Sequence, residues 1–354
     1  MNRIKQFFKR ENKMKTLWIH AGMPKNGSSA LQVFFAKNKD NLGSEDIDYL
    51  SLVNIKDAAV GQITSGNGAL LARSLLGSSH ESYYKDGGEQ YEKFLDLVKE
   101  SSCKNLIVSS EFFAVSPLNE IEKICRDLKS INVTTKFIYY VRRQDQFLMS
   151  SYMQRVKRHL STESPEEYIE NNYKNIHFLK YFGYAEQYSS LLGRENVYPF
   201  IFDDTKNHSK GIAGHFMNII IGRCPDWVES SKSINTSPSP RELKLMLMAN
   251  KYSPRMRFSD FLIQDSIIRG DSTHYKSHNL LSKKTLIEIF DYFEEQNIKF
   301  INEYCPDSKF DVIDFDNYIG LDLQDMKFTS EEVMDIISGF LVRFDRRISN
   351  LEGK

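Results

Sequence analysis

A lysine and two serines lie in a short glycine-containing segment near the start of the chain, where together they could hold an anion. The residues are Lys25, Ser28 and Ser29, within KTLWIHAGMPKNGSSALQ (15–32). The pattern predicts a strand over 16–20, a loop of small residues over 21–28, and a helix that opens at Ser28–Ser29. The first N–H groups of a helix have no internal partner and carry partial positive charge, so this arrangement predicts an anion site.

The glycine spacing of this segment resembles that of a nucleotide P-loop, but the position of the lysine does not. Gly22 and Gly27 are separated as in G-x-x-x-x-G-K-[ST], yet Ser28 stands where the lysine belongs, and Lys25 precedes Gly27 by two residues. A cation in that place would not set Mg²⁺ and a γ-phosphate as a Walker loop does, so ATP chemistry is disfavoured. A plain tight turn with a surface lysine is the alternative interpretation.

Two arginines predict a second anion site. Arg142 and Arg143 follow the apolar run KFIYYV, and Ser150 and Ser151 come at helical distance after them. Ligands of open α/β sheets bind at the carboxyl ends of strands, and arginine can grip two phosphate oxygens at once. A solvated helix face would explain the basic residues over 155–158 but explains the adjacent arginines poorly.

Glu111 is the candidate general base, because it lies just beyond the buried-type strand over 105–109, at the same sheet edge. A surface or capping glutamate is the alternative. His20, at the end of the first strand, could touch the anion or could be a core histidine. The eight histidines form no cluster with metal-ligand spacing, and the four cysteines lie far apart without a C-x-x-C pair.

Strands and helices alternate along the first two thirds of the chain, which predicts parallel βαβ units. The strands are short, continuous apolar runs, as expected for a sheet covered on both faces. The predicted fold class is therefore α/β, a parallel sheet flanked by helices, with a helical C-terminal third. Predicted strands cover 16–20, 105–109, 136–143 and 195–204, and the clearest predicted helices cover 89–100, 118–130, 145–160 and 281–304.

The composition narrows the function classes. Lysine plus arginine equals aspartate plus glutamate at 47 each, so no overall field favours nucleic acid. No apolar run reaches the ~18 residues that span a bilayer, and the cysteine usage predicts a reducing, cytoplasmic location. The segment 1–14 is expected to be a basic leader with at most weak membrane contact. The predicted domain ranges are 1–14, a main α/β domain over 15–304, and a helical extension over 305–354.

MPKNGSSALQ resembles the 5′-phosphosulfate loop of PAPS-dependent sulfotransferases, P-K-[ST]-G-[ST]-[ST], and YVRRQDQFLMSSYMQ resembles their 3′-phosphate motif. Arg142, Ser150 and Tyr152 fit that second motif, while Arg143 with Ser151 fits the same spacing shifted by one. SSEFF is similar to the place where glycan-type members carry a catalytic glutamate. The resemblance extends over roughly 15–304 and implies a three-layer, P-loop-like α/β/α fold. The residues that it implies for the donor are Pro24, Lys25, Asn26, Gly27, Ser28, Ser29, Arg142, Ser150 and Arg143.

The resemblance implies that the sulfonate of PAPS passes to an acceptor hydroxyl, with Lys25 and Glu111 catalytic, PAP as product and no metal. A carbohydrate acceptor, such as a cell-envelope glycan of a bacterium, is expected by analogy. Two departures stand out: Asn26 replaces a serine or threonine, and the late Arg-Lys-Gly segment is absent, for which Lys232, Asn235 and Ser237 could substitute. The expected acceptor surfaces are 38–88 and 251–279. A P-loop kinase or NTPase and a non-catalytic nucleotide- or glycan-binding module are the alternatives.

Overall fold

The computed structural model describes residues 14–23, 26–53, 65–229, 238–252, 259, 280–323 and 327–351. Its residues fall into two compact units. The first contains 1–147, 173–235 and 290–312, and the second contains 148–172, 236–289 and 313–354. The three domain ranges expected from the sequence stay predictions.

The first unit is built on a five-stranded parallel sheet with the order β2-β3-β1-β4-β5. The strands are β1 Lys15–Ala21, β2 Ile47–Tyr49, β3 Asn105–Ser110, β4 Val133–Val141 and β5 Val197–Ile201. The central strand β1 pairs with β3 on one side and with β4 on the other. The predicted strands thus all exist, and β2 is an additional strand that the search for apolar runs did not reveal.

Helices connect these strands, and several begin and end where the sequence predicts. The prediction of a helix over 89–100 and another over 118–130 is confirmed to the residue. In the first half of the chain, the described helices are α1 Ser28–Lys37, α2 Lys39–Ser44, α3 Ala69–Ser74, α4 Glu89–Glu100, α5 Leu118–Ser130 and α6 Gln144–His159. In the second half, they are α7 Pro165–Asn172, α8 Tyr181–Leu192, α9 Gly211–Ile221, α10 Pro240–Tyr252, α11 Lys283–Tyr304 and α12 Ser330–Leu351.

Helices cover both faces of the sheet. On one face, aromatic residues of α1 and α9 pack into a buried cluster with the strands, for example Phe35 against Phe216 at 4.9 Å between ring centres. On the other face, Phe137 of β4 stacks on Tyr188 of α8 at 3.8 Å. A sheet buried on both faces needs apolar residues at consecutive positions, which explains the continuous apolar runs. The predicted fold class, a parallel sheet flanked by helices, is confirmed.

The second unit is helical in its described parts, and partly buried side-chain hydrogen bonds join its segments. The Tyr152 hydroxyl donates to the Glu163 carbonyl at 2.8 Å, and the Asn250 amide donates to the carbonyls of Val156 and Ser161. Thr329 and Glu332 form the predicted capping box at the start of α12, with N–H to side-chain oxygen distances of 2.9 and 3.2 Å. The predicted helical character of this part of the chain is confirmed where the structure describes it.

Candidate functional site

The candidate site lies at the carboxyl ends of β1, β3 and β4 in the first unit. Register places these ends side by side, because Ala21 of β1 pairs with Ser110 of β3 and the Gly22 N–H donates to the Ser110 carbonyl at 3.0 Å. The chain order changes direction around β1, since β3 and β4 follow one another in sequence yet flank it. Such a switch point opens a crevice at the strand ends, where ligands of α/β sheets bind.

The loop between β1 and α1 leads into a helix N-terminus, as the sequence predicts. Gly27 has a left-handed conformation with φ of 79°, and α1 begins at Ser28 without a side-chain cap. The backbone donors of the first helical turn are therefore not taken up by a cap of the chain's own side chains, which leaves them suited to an anion. Ser28 is buried and Ser29 is half-buried. Pro24 and Lys25 lie outside the described residues.

The loop passes close to Glu111. A Cβ added at Gly22 would stand 2.8 Å from the Ser28 Cβ and 3.4 Å from the Glu111 backbone nitrogen. Only a residue without a side chain fits at this position, which gives a physical reason for the first glycine of the motif. The close approach brings the backbone of Glu111 next to the loop that leads into α1.

Glu111 opens a short 3-10 helix, Glu111–Val115, directly after β3. The Ser110 hydroxyl accepts a hydrogen bond from the Phe112 N–H at 3.2 Å and so fixes the start of this turn. Glu111 itself is half-buried. A carboxylate held by backbone geometry at the mouth of a crevice can serve as a proton acceptor.

Arg142 is joined to the loop through Asn26. The Arg142 Nε donates to Asn26 Oδ1 at 2.7 Å, and Asn26 Nδ2 donates to the Tyr140 carbonyl at 2.8 Å. The Arg142 carbonyl accepts from the Tyr181 hydroxyl at 2.6 Å. Asn26 is only 3% exposed, so its amide is fixed by both bonds. The two segments that the sequence predicts to be anion sites therefore contact each other. Asn26, which stands where the motif has a serine or threonine, makes this contact.

The guanidinium of Arg142 lies over the ring of Phe202, 4.8 Å from its centre. The same ring packs against the loop, since a Cβ at Gly27 would stand 2.6 Å from it. Within the described part of the chain, the hydrogen bond to Asn26 uses Nε, and no bond engages the two terminal nitrogens of Arg142. An arginine held by Nε and by stacking presents its other nitrogens as a fork for an oxyanion.

Asp203 contributes charge beside Arg142. Burial lowers the pKa of Arg142, and the negative charge of Asp203 opposes that shift. Arginine stays protonated at any physiological pH, so the positive charge is retained. Asp203 forms an ion pair with Lys206 through Oδ1, while Oδ2 is buried without a hydrogen-bond partner. Phe202, Asp203 and Tyr181 were not among the residues predicted from the sequence, which carries no local signal that they meet Arg142.

Arg143 is buried in a structural ion pair. Its Nε and Nη2 donate to the two carboxylate oxygens of Asp145 at 2.6 and 3.0 Å, and Nη1 donates to the Asp311 carbonyl at 2.7 Å. The side chains of Arg143 and Asp145 are 4% and 0% exposed. This arrangement satisfies the guanidinium on both edges and neutralises its charge.

Ser150 and Ser151 lie on α6 in the part that belongs to the second unit. The Ser151 hydroxyl accepts from the Tyr168 hydroxyl at 3.0 Å, and Ser150 is half-buried. Arg142 and Arg143 belong to the first unit. The pairing of an arginine with a serine, in either register, stays a prediction.

His20 is a core histidine. It is 1% exposed, shares a hydrogen bond of 2.8 Å between Nδ1 and the Ser109 hydroxyl, and contacts Tyr140 and Phe216 edge-on. Burial lowers the pKa of His20 to about 3, so the ring is neutral near pH 7 and a poor proton acceptor. Of the two candidate bases, the geometry favours Glu111.

Neither a metal centre nor a membrane span is found in the parts of the chain that the structure describes. No group of three histidine, cysteine, aspartate or glutamate side chains there could hold an ion. No described helix combines the length and hydropathy that a bilayer crossing requires. Lys232, Asn235 and Ser237, which could substitute for the missing Arg-Lys-Gly segment, lie outside the described residues.

Among solved structures, the chain is similar to the crystal structure of a sulfotransferase from Alicyclobacillus acidocaldarius. The TM-score is 0.42 at 15% sequence identity, over 66% of this chain and 91% of that chain. No protein-family model matches the chain. No curated protein matches it either. A TM-score of this size is too low to assign a function.

Proposed function

We propose that this protein is a sulfotransferase that moves a sulfonate group from PAPS to a hydroxyl of an acceptor. The observation that carries the proposal is the hydrogen bond from Arg142 to Asn26, which joins the loop motif to the strand-end motif. A donor with a 5′-phosphosulfate and a separate 3′-phosphate needs two neighbouring anion sites. The first would be the start of α1 and the second the fork of Arg142.

Each residue of the site has a role in the proposed reaction. The N–H groups of α1, with Ser28 and Ser29, would bind the 5′-phosphosulfate. Lys25, placed by the sequence in the loop, would stabilise the charge that develops on the departing phosphate. Arg142 would bind the 3′-phosphate, and Asn26 and Phe202 would hold its guanidinium in place. If Arg143 were to bind the 3′-phosphate instead, the phosphate would meet a guanidinium whose charge Asp145 already neutralises. This favours Arg142 as the residue that binds the 3′-phosphate.

Glu111 would act as the general base. The acceptor oxygen forms a bond to sulfur while the bond between sulfur and the bridging phosphate oxygen breaks, and PAP leaves with that oxygen. The acceptor hydroxyl proton passes to the Glu111 carboxylate, so atoms and charge balance. In-line attack needs the acceptor on the far side of sulfur from the phosphate, and the backbone of Glu111 lies next to the loop that leads into α1, whose start would hold the phosphosulfate. A carbohydrate is the proposed acceptor class, by analogy with glycan-type sulfotransferases.

Binding and transfer measurements test this proposal and its alternatives. We expect PAP to bind with higher affinity than ADP in calorimetry without Mg²⁺, and labelled sulfonate to pass from PAPS to members of a panel of glycans and small hydroxyl compounds. Mg²⁺-dependent ATP hydrolysis without PAP binding would contradict the proposal and favour a kinase or NTPase. PAP binding without transfer to any acceptor would favour a binding module.

Glu111→Gln separates the base from the donor site. We expect kcat to fall by about 10²–10⁴-fold, because general-base catalysis contributes about that much. PAP affinity should stay within about twofold, since the amide keeps the size of the side chain. Ser116→Ala, just after the same 3-10 helix, is the control, and its kcat should change little. Undiminished turnover in Glu111→Gln would remove Glu111 from the base role.

A further inference from the structure

The last helix, α12, presents an apolar stripe to solvent. Five side chains form it, and each is between 46% and 63% exposed. They are Met334, Ile337, Leu341, Phe344 and Ile348. Single exposed apolar residues are ordinary on protein surfaces, but a continuous row along one helix indicates a contact surface.

The stripe lies on a different face of α12 from the one that contacts the rest of the second unit. Glu332, Ile336, Phe340 and Arg343 are half-buried and follow one another at intervals of four, four and three residues. Glu332 also forms an ion pair with Arg241 of α10 at 2.5 Å. The helix therefore already uses one face within its own chain, and the exposed stripe is a second apolar face.

The spacing of the stripe is that of a coiled-coil seam. From Met334 to Ile348 the intervals are three, four, three and four residues, which is the a/d pattern of a heptad repeat. Val333 and Phe340 flank this row, so the apolar surface of the helix is wider than the seam. The exposed row itself keeps a 3.5-residue period, which fits a partner helix with the same period. A second copy of α12 meets that requirement.

Charge along the helix also fits a second copy. Apart from Glu332 and Arg343, which lie on the half-buried face, the N-terminal half carries Glu331 and Asp335 and no basic residue, whereas 344–347 contains two arginines and one aspartate. Two copies that run antiparallel would bring each acidic half beside the basic half of the other, and parallel copies would align like charges. If each side chain of the stripe contributes roughly 100 Å², the pair would bury on the order of 1,000 Å², near the lower limit for a specific interface.

We propose that the stripe on α12 is a self-association surface, which pairs antiparallel with α12 of a second copy of this chain. An interface of this size without a large buried core corresponds to a dissociation constant on the order of micromolar. Because its residues lie in the second unit and the donor site lies in the first, this inference stands independently of the proposed reaction.

Two neighbouring substitutions test the proposal on the full chain. Leu341→Glu places a charge in the stripe, while Val342→Glu makes the same kind of change one residue further on, at a position that is also exposed but lies off the stripe. Sedimentation equilibrium over a concentration series should give a monomer–dimer equilibrium for the unaltered chain, whose monomer mass is 41.2 kDa. Leu341→Glu should raise the dissociation constant at least tenfold, and Val342→Glu should leave it within about twofold. Circular dichroism should give equal helix content for all three proteins.

Several results would overturn the proposal. A chain that stays monomeric at all concentrations, or a Leu341→Glu variant that dimerises normally, would exclude the stripe as a dimer surface. Equal weakening by Val342→Glu would show that the effect is not specific to the stripe. A monomer that instead sediments with vesicles of anionic lipid, and loses this in Leu341→Glu, would assign the stripe to a membrane surface. A dimer that does not weaken at high salt would contradict the antiparallel arrangement.

Discussion

The two sides of the β4 carboxyl end differ sharply, although they begin with adjacent arginines. On one side, Arg143 is enclosed by Asp145 and the Asp311 carbonyl, and its charge is neutralised inside the protein. On the other, Arg142 is held by one nitrogen on Asn26 and lies on Phe202. A guanidinium whose nitrogens are all hydrogen-bonded within the protein stabilises the fold. A guanidinium that is held by one nitrogen can use its other nitrogens to bind a ligand. Neighbouring identical residues can thus serve different purposes.

Arg143→Ala gives the largest expected effect and acts on stability. Removing the guanidinium leaves Asp145 as a fully buried carboxylate without its counter-ion, which costs about 3–5 kcal/mol. Urea unfolding should register this as a lower midpoint with little change in slope. The double variant Arg143→Met with Asp145→Leu should recover much of the loss, because it removes both charges. A stable Arg143→Ala protein with weak PAP binding would contradict a structural role for Arg143. It would support Arg143 with Ser151 as the residues of the 3′-phosphate motif.

Arg142→Ala should act mainly on ligand binding, with a smaller loss of stability than Arg143→Ala, because it leaves the buried Asn26 Oδ1 without its donor. Loss of a two-bond contact to a phosphate is expected to cost about 3 kcal/mol, or roughly 100-fold in PAP affinity by calorimetry. Arg142→Lys keeps the charge but not the fork, and should recover only part of the affinity. Normal PAP binding by Arg142→Ala would remove this residue from the donor site. Only the loop between β1 and α1 would then be left as a predicted anion site.

His20 is a second buried side chain whose charge state affects stability. Its pKa is about 3 in the folded chain and about 6.5 when unfolded, so the unfolded state binds more protons between these values. Stability from this group is therefore present above pH 6.5 and is lost as the pH falls, by about 2 kcal/mol between pH 7 and 5. His20→Gln should flatten this part of the stability–pH curve. Some slope should remain, because burial also lowers the pKa of His215, to about 4. An unchanged slope would contradict a buried neutral His20.

Substitution of Asn26 should have the smallest effect of the four, and this effect should depend on Arg142. Asn26→Ala removes the bond that orients Arg142, and we expect PAP affinity to fall about tenfold, or about 1.4 kcal/mol. In an Arg142→Ala background the same substitution should change affinity little, because the two residues act together. A full tenfold loss in that background would show that Asn26 contacts the ligand by another route.

Sequence reasoning predicted the parts of the fold that depend on local patterns. Apolar runs indicated four of the five strands, and the helix over 118–130 was placed to the residue. The three residues of β2 were missed because Ile-Asp-Tyr is too short and too polar to form an apolar run. The sequence also indicated the loop, Glu111 and the arginine pair, since each directly follows an apolar strand.

Long-range contacts explain what the sequence could not resolve. Arg142 meets Asn26 across 116 positions, and Arg143 meets Asp311 across 168. The choice between the two arginines depends on these partners, which no local window contains. The same applies to Phe202, whose ring supports Arg142 only because β4 and β5 end side by side.

The position of β1 at the centre of the sheet has a consequence for synthesis on the ribosome. This strand emerges first, but its neighbours β3 and β4 are made about 90 and 120 residues later. Until then an apolar strand has both edges open, which is a state that favours aggregation and recruits chaperones. Strand pairings so distant in sequence also make folding slow. The loop between β1 and α1 is therefore translated early, whereas Arg142, which contacts this loop, is translated late. A ribosome-stalled chain that ends before β4 should be unable to bind the donor.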